Sequence, residues 1–503
     1  MAAADADMPA LSEVHRALIL ATMAATSMLF STTLTVVTVV LPTLQGAFSV
    51  TQDQVSWLVT LNIIAMGIGL PLTGWFAARF GRRRTLLVSV AGFILASLLC
   101  GIAGSFEAML LFRVMQGAAA STLLALPQAI VMDTYPRERQ AFALSVWGIA
   151  AVSGPAVAPS IGGLVSEAFG WRASFLMMLP SGMLAFICIA LVLRESGRDP
   201  TKRLDWTGFL ALAATIACLQ VMFDRGHRLD WFDSDAIVLL ACGAAVGFYV
   251  FLVQCATHRD PFISLRMFLD RNFAVGVTLS FIFGLIQIAP TVILPPFLQV
   301  LKGYPDSLIG LVLAMRGAGM VTGYFFAPVM TRLDPRIGIA VGAGLTVLSG
   351  LLMARFDFDT PMATMVVALL IQGVGASTFW LPMSTLTFST IPRSMLAQGS
   401  GIFHLLRVFG STLFVAVTVT VVVRGVRTVY SDLNQNLSIF NDLFGLPGVA
   451  GLWNLADLPG IARMEGEVVR QATMAAYHNA FLVYACAALL VVPFLLLARP
   501  PRR

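Results

Sequence analysis

Charged residues are scarce in this sequence. Asp, Glu, Lys and Arg make up 12% of 503 residues, against roughly a quarter in a soluble globular protein. Too few polar side chains remain to cover a water-facing surface, but the shortage suits a chain whose solvent is lipid. Lysine is nearly absent. Lys202 and Lys302 are the only two, and neither closes a G-x-x-x-x-G-K loop. The chain therefore has no nucleotide cradle of that kind, which excludes an ATP-driven pump. The five histidines include no pair at helical spacing and no H-E-x-x-H. The six cysteines (Cys100, Cys188, Cys218, Cys242, Cys255 and Cys486) lie in apolar stretches without a C-x-x-C, where they read as small hydrophobes. No metal and no cofactor is expected. The net charge of +6 is spread over loops rather than gathered in one patch, which argues against nucleic acid. Asp5, Asp7 and Glu13 spoil the basic region of a cleavable signal peptide, so the first apolar stretch is expected to act as its own insertion signal.

What the sequence has in abundance is apolar length. Hydrophobic residues make up 58% of it, and a membrane span needs about 20 of them in a row. Reading between charges and turn residues gives fourteen such stretches, from 17–41 to 472–498, with 206–223 and 236–257 as the seventh and eighth. The even number puts both termini on one side. Arg79, Arg82, Arg83, Arg84, Arg137, Arg139, Arg194, Arg198, Lys202 and Arg203 fall on the termini's side, which the positive-inside rule assigns to the cytoplasm. The segment 424–471 is expected as a long outward loop, either a solvated connector or a surface that meets a partner.

An internal repeat divides the chain. Q-G-A-A-A-S-T begins at Gln116 and Q-G-V-G-A-S-T at Gln372. The same offset carries Thr134, Pro136 and Arg137 onto Thr390, Pro392 and Arg393. Spans 1–6 then match spans 9–14, and spans 7 and 8 are an insert. The expected organisation is an all-α integral membrane protein with a six-helix bundle at 1–195, two inserted helices at 196–260 and a second six-helix bundle at 261–503. Parallel repeats with a central site between the halves are a transporter architecture.

Candidate site residues are the polar ones that lipid tolerates poorly. Arg113, Arg316 and Arg407 lie well inside spans, where an arginine costs between roughly 3 and more than 10 kcal/mol and so faces a cavity or a partner. Asn62 and Trp57 on span 2, Gln116 on span 4, Gln287 on span 9 and Trp380 on span 12 join them as candidate substrate contacts. No Asp or Glu lies well inside a span. Asp133, at one end of span 4, and His404, which titrates near neutral pH, are the proton-coupling candidates. Span 5 carries Gly148, Gly154, Gly162 and Gly163, which permit close helix approach, and Pro155 and Pro159, which invite a bend. These are the conformational candidates. The 23 Met and 35 Phe can furnish a large adaptable pocket.

These stretches resemble the major facilitator superfamily, and within it the fourteen-span drug:proton antiporter branch. The segment from Gly74 to Arg84, G-W-F-A-A-R-F-G-R-R-R, resembles the superfamily's loop motif, with Ala78 where Asp is frequent. Leu111 to Gly117 resembles the motif with a buried arginine, and Gly148 to Gly163 the antiporter motif. Arg316–Gly317 and F-H-L-L-R from Phe403 to Arg407 resemble branch patterns, with His404 where Asn is commoner. Thr33 occupies the place of a frequent membrane Asp. The resemblance implies the major facilitator fold in a bacterial inner membrane, and proton-coupled export of amphipathic compounds by alternating access. It also implies, in double-membraned bacteria, a periplasmic adaptor and an outer-membrane channel as partners. Three interior cations and no central carboxylate shift the expected substrates toward anionic or neutral weak acids. A dedicated exporter of one metabolite, siderophore or lipid-like compound is the alternative on the same scaffold.

Overall fold

A computed structural model describes residues 12–195, 197–435, 437 and 458–497. Asp5 and Asp7, both chain ends and most of the middle of 424–471 lie outside the described residues. Among the described residues, fourteen long helices follow one another where the fourteen apolar stretches fall. They are α1 (Glu13–Phe48), α2 (Gln52–Phe80), α3 (Arg82–Gly101), α4 (Phe106–Thr134), α5 (Arg137–Phe169), α6 (Trp171–Val192) and α7 (Trp206–Arg225). The remainder are α8 (Asp235–Thr257), α9 (Arg271–Lys302), α10 (Asp306–Leu333), α11 (Pro335–Met353), α12 (Met362–Phe388), α13 (Leu396–Asn434) and α14 (Leu458–Leu497). Among the described residues, thirteen helices are long and apolar enough to cross a membrane. Helix α5, with 33 residues, stands where the fifth stretch was read.

The helix starts follow from local chemistry. Thr51 caps α2 through a reciprocal box with Gln54, Ser105 caps α4 by accepting from the Ala108 N–H, and Asp205 and Asp270 cap α7 and α9. Each side-chain oxygen satisfies a backbone donor that the first helical turn leaves free. Two interruptions fall at depth. Ser121 breaks α4 into Phe106–Ala120 and Thr122–Thr134, and Ile288 breaks α9 into Arg271–Gln287 and Ala289–Lys302. Pro290 explains the second, because its ring removes a donor and clashes with the preceding turn.

The expected loop at 424–471 is corrected at both ends. Helix α13 continues to Asn434 and α14 begins at Leu458, so the pair runs on beyond the apolar stretches that marked them. The charges that ended the reading do not end the helices, because α13 and α14 pack along each other. A Cβ at Gly425 would stand 3.0 Å from the Ala476 side chain.

Some helices approach too closely for any side chain between them. A Cβ on Gly373 of α12 would sit 2.1 Å from the Arg316 carbonyl oxygen of α10, and one on Gly284 of α9 would sit 2.1 Å from that of Arg407 on α13. Backbone oxygens do not yield as flexible side chains do. Gly373→Ala is therefore expected to destabilise the protein by about 3 kcal/mol or more, the upper range for overpacking. Thermal unfolding in detergent reads this directly, and an unchanged midpoint would contradict the close approach.

Candidate functional site

Four helices meet around Gln287, where α9 is broken. The break leaves the Gln287 carbonyl free of the helix ladder, and Arg316 Nη2 of α10 donates to it at 2.6 Å. The Gln287 side chain turns the other way and accepts from Arg407 Nη1 of α13 at 2.8 Å. Arg316 Nε donates to Gln372 Oε1 of α12 at 2.6 Å, and Arg407 Nε has no partner. The glycines at 373 and 284 let these backbones come together beside the two guanidiniums. Gln287, Arg316 and Arg407 are each half-buried as residues, and the Nε of Arg407 is itself buried. Among the described residues neither arginine is paired with a carboxylate. Two positive charges thus bracket one glutamine at mid-depth with no anion to balance them, an arrangement costly enough in a membrane interior to mark a site.

Arg113 is a different case. It is 1% exposed. Its Nε donates to the Leu58 carbonyl at 3.1 Å and its Nη1 to Gln116 Oε1 at 2.5 Å. Gln116 Nε2 donates on to Ser97 at 2.8 Å, and Asn62 donates to the Arg113 carbonyl at 2.8 Å. Arg113, Gln116 and Asn62 therefore satisfy one another and tie α2, α3 and α4 into a sealed hub, where the sequence had suggested substrate contacts. Trp57 is likewise displaced from the centre. Its ring lies under the Arg225 guanidinium at 4.5 Å, near the start of α2.

A second cluster closes one end of the bundle, called the basic end because Arg82, Asp133 and Arg393 meet there. Asp133 Oδ2 pairs with Arg82 at 2.5 Å and its Oδ1 with Arg393 at 3.7 Å. Asp133 is therefore a latch between α4, α3 and the turn before α13 rather than a free carboxylate. Deeper in, Gln128 of α4 donates to Ser384 of α12 at 2.8 Å, while its oxygen receives Ser400 at 3.0 Å and meets His404 Nε2 at 2.6 Å, both from α13. On the neighbouring flank Ser145 of α5 donates to the Tyr324 carbonyl of α10. Trp380 stacks on Trp147 with centroids 5.6 Å apart, and Tyr324 meets Trp380 edge-on at 6.2 Å.

The span-5 glycines divide between two neighbours. A Cβ on Gly148 would lie 2.6 Å from the Tyr324 ring, so this glycine belongs to the α5/α10 seam. Gly154 and Gly162 face α1, at 3.1 Å from Met28 and 3.3 Å from Val36, and Gly163 makes an ordinary contact with Val39 at 3.7 Å. The side chains of Pro155 and Pro159 lie outside the described residues.

The sequence reading missed Gln128, Ser384 and Ser400, although the repeat contained the signal. The offset that relates Gln116 to Gln372 also relates Gln128 to Ser384. It relates Ser145 to Gly401, whose Cβ would stand 2.4 Å from the Leu70 carbonyl of α2, so the α5/α10 and α13/α2 seams make corresponding contacts. It also missed Asp224, which follows the seventh apolar stretch. Thr60 of α2 donates to Asp224 Oδ2 of α7 at 2.9 Å. Helix α7 also reaches α13 through Gln220, which accepts from Thr412 at 3.2 Å. The turn after α7 adds Trp231, which donates to Thr420 at 3.0 Å.

A sequence model of the Major Facilitator Superfamily matches residues 23–415. Multidrug export protein EmrB of Haemophilus influenzae is 28% identical over 497 residues, covering 96% of each chain. Fatty acid resistance protein FarB of Neisseria gonorrhoeae is 28% identical over 476 residues, covering 93% of each. Among solved structures, a double-tryptophan mutant of the E. coli xylose transporter XylE superposes with a TM-score of 0.66 at 13% identity, over 97% of this chain and 96% of that one.

Proposed function

Because the chain belongs to the major facilitator superfamily, we propose that the unbalanced cationic site at Arg316, Gln287 and Arg407 receives the anionic head of an amphipathic substrate that the protein exports. The protein is a multi-pass membrane transporter rather than an enzyme, and a multidrug exporter by its relatives. Within that activity, the pair of arginines without a carboxylate partner carries the reading that organic acids are preferred over cations. A guanidinium offers a carboxylate two parallel donors, which suits recognition of a planar anion. The name of the fatty-acid-resistance relative supports a lipid-like acid as one member of the class.

The direction of transport follows from orientation. The clustered Arg79, Arg82, Arg83, Arg84, Arg137 and Arg139 favour a cytoplasmic basic end, with both termini on that side. Residues 1–195 and 261–503 then form two related halves and 196–260 the inserted pair. The Gln128–Ser384 bond joins equivalent positions of the two halves, which supports an approximate twofold axis through that seam. With the basic end latched, the protein stands closed to the cytoplasm, and alternation consists of opening this seam. The continuation of α13 and α14 beyond the apolar stretches gives a helical pair on the outer side, suited to a periplasmic adaptor.

An inside-negative potential assists outward movement of an anion by about 2.3 kcal/mol per charge per 100 mV. Reconstituted vesicles with an imposed potential test the reading. Efflux of a medium-chain fatty acid is expected to accelerate with potential in the direction away from the basic end, while tetraphenylphosphonium moves slowly. Strong export of the permanent cation with no movement of the anion would sink it.

A further inference from the structure

The seam at the basic end holds one buried ring that can change its charge. His404 is 1% exposed. Its Nε2 lies 2.6 Å from Gln128 Oε1, an oxygen that also accepts from Ser400. The Gln128 amide nitrogen is spent on Ser384, so the ring must present Nε2–H to Oε1. Nδ1 is then the bare acceptor of a neutral imidazole, and it is buried without a partner. A proton arriving at Nδ1 would create a second N–H with nothing to receive it.

The surroundings offer an imidazolium no compensation. Arg407 lies one helical turn away on α13 itself. Helix α4 presents the neutral Gln128 and α12 the neutral Ser384. Helix α10 brings Tyr324 to the neighbouring flank, and α2 brings backbone near Leu70. The nearest carboxylate along α4, Asp133, is already engaged by Arg82 and Arg393. A charged His404 is therefore incompatible with the latched seam, whereas an opened seam would hydrate it. By linkage, whatever disfavours the proton in the closed state makes the proton favour the open one.

We propose that His404 carries the proton of the transport cycle, and that protonation at Nδ1 unlatches the basic end. After substrate leaves from the outward-facing state, a proton from that side reaches Nδ1. The Gln128–Ser384–Ser400 seam then parts, and the proton is released to the cytoplasm as substrate binds. No bond other than N–H is made or broken. The proposal rests on the export reading above, but it has a readout that does not.

His404→Asn keeps an amide donor for Gln128 while removing the proton site. In vesicles with the membrane potential clamped at zero, a one-unit proton gradient, acid on the side opposite the basic end, is expected to raise wild-type fatty-acid efflux by up to about tenfold. His404→Asn should lose that stimulation while keeping voltage-driven efflux. Retention of the gradient response by His404→Asn would overturn the proposal. Independently of any substrate, Ser145→Cys can report on the seam in a background with the native cysteines replaced by alanine, since Ser145 is buried there. Its alkylation rate, taken relative to a cysteine exposed in both states so that the thiolate's own pH dependence cancels, should rise as pH falls, and should be flat with pH in the His404→Asn and His404→Gln versions. Equal pH dependence with and without the histidine overturns the proposal, even if no anion is moved and the export reading itself fails.

Discussion

Replacing Arg407 or Arg316 with alanine is expected to reduce kcat/KM for a carboxylate substrate by roughly 10- to 150-fold, the worth of a lost hydrogen bond to a charged group of about 1.5–3 kcal/mol. Both residues donate to Gln287, one to its carbonyl and one to its side chain, so neither is fully occupied by the protein. Arg407 has the larger expected effect, because its guanidinium is held by the Gln287 side chain alone while its buried Nε lacks a partner, whereas Arg316 is held by two bonds. Arg407→Lys should recover part of the loss, since charge is retained but the planar fork is not. A neutral amphiphile should be nearly indifferent to all three substitutions, and this contrast separates recognition of an anion from general damage. Arg113→Ala supplies the opposite pattern. It strips a partner from Gln116 and from the Leu58 carbonyl in a sealed hub, so it should lower thermal stability and reduce all substrates together. Vesicle transport of an acid and a neutral compound, with melting curves for each variant, distinguishes the two. Equal losses for both compounds in Arg407→Ala would remove the anion site.

The second large effect concerns the seam. A double substitution, Gly74→Cys with Gln398→Cys, is expected to give a protein that loses nearly all transport when oxidised and recovers it on reduction. A Cβ on Gly74 would stand 2.7 Å from the Gln398 Cβ and 2.6 Å from its Cα, so the reduced double variant, not the wild type, is the reference for the oxidised one. The two helices therefore need to part by only about 1 Å to reach the spacing of roughly 3.5–4.5 Å that a disulfide requires. The bridge would pin α2 to α13 at the basic end, where both halves must separate if that end is to open. The measurement is efflux with and without dithiothreitol, in a background from which the native cysteines are removed. Full activity of the oxidised form would mean that this seam stays shut throughout the cycle and that opening occurs elsewhere.

The fourteen helices were legible because each span announces itself by length and by the charges at its ends, and no partner is needed to read that. The roles of the arginines were less legible. Arg113, Arg316 and Arg407 look alike in the sequence, yet one is fully buried and two are half-buried. The difference lies in partners drawn from other helices, such as Leu58 for Arg113 and Gln287 for Arg316, and a linear reading does not bring those together. Asp133 is a proton-site candidate in the sequence by its type and its place at one end of span 4, and its two arginine partners come from beyond its own helix. Gln128 was within reach, because the repeat that gave Gln372 points equally to Ser384. The helical ends of 424–471 were lost to a rule that equates charge with loop.

Helix α7 alters how the moving parts should be counted. It is fastened to α2 by Thr60 and Asp224, by Arg225 over Trp57 and onto the Asp53 carbonyl, and by Ile216 against Gly67. The turn that follows it adds the ion pair of Arg228 with Asp53. Against α13 it has Gln220 with Thr412, joined by Trp231 of the same turn with Thr420. In a rocking cycle the weaker set is the one that slips. The inserted pair would then travel with the first bundle rather than between the two. On that flank the plane of shear would run between α7 and α13, and the mechanical division would lie near residue 260 instead of residue 196.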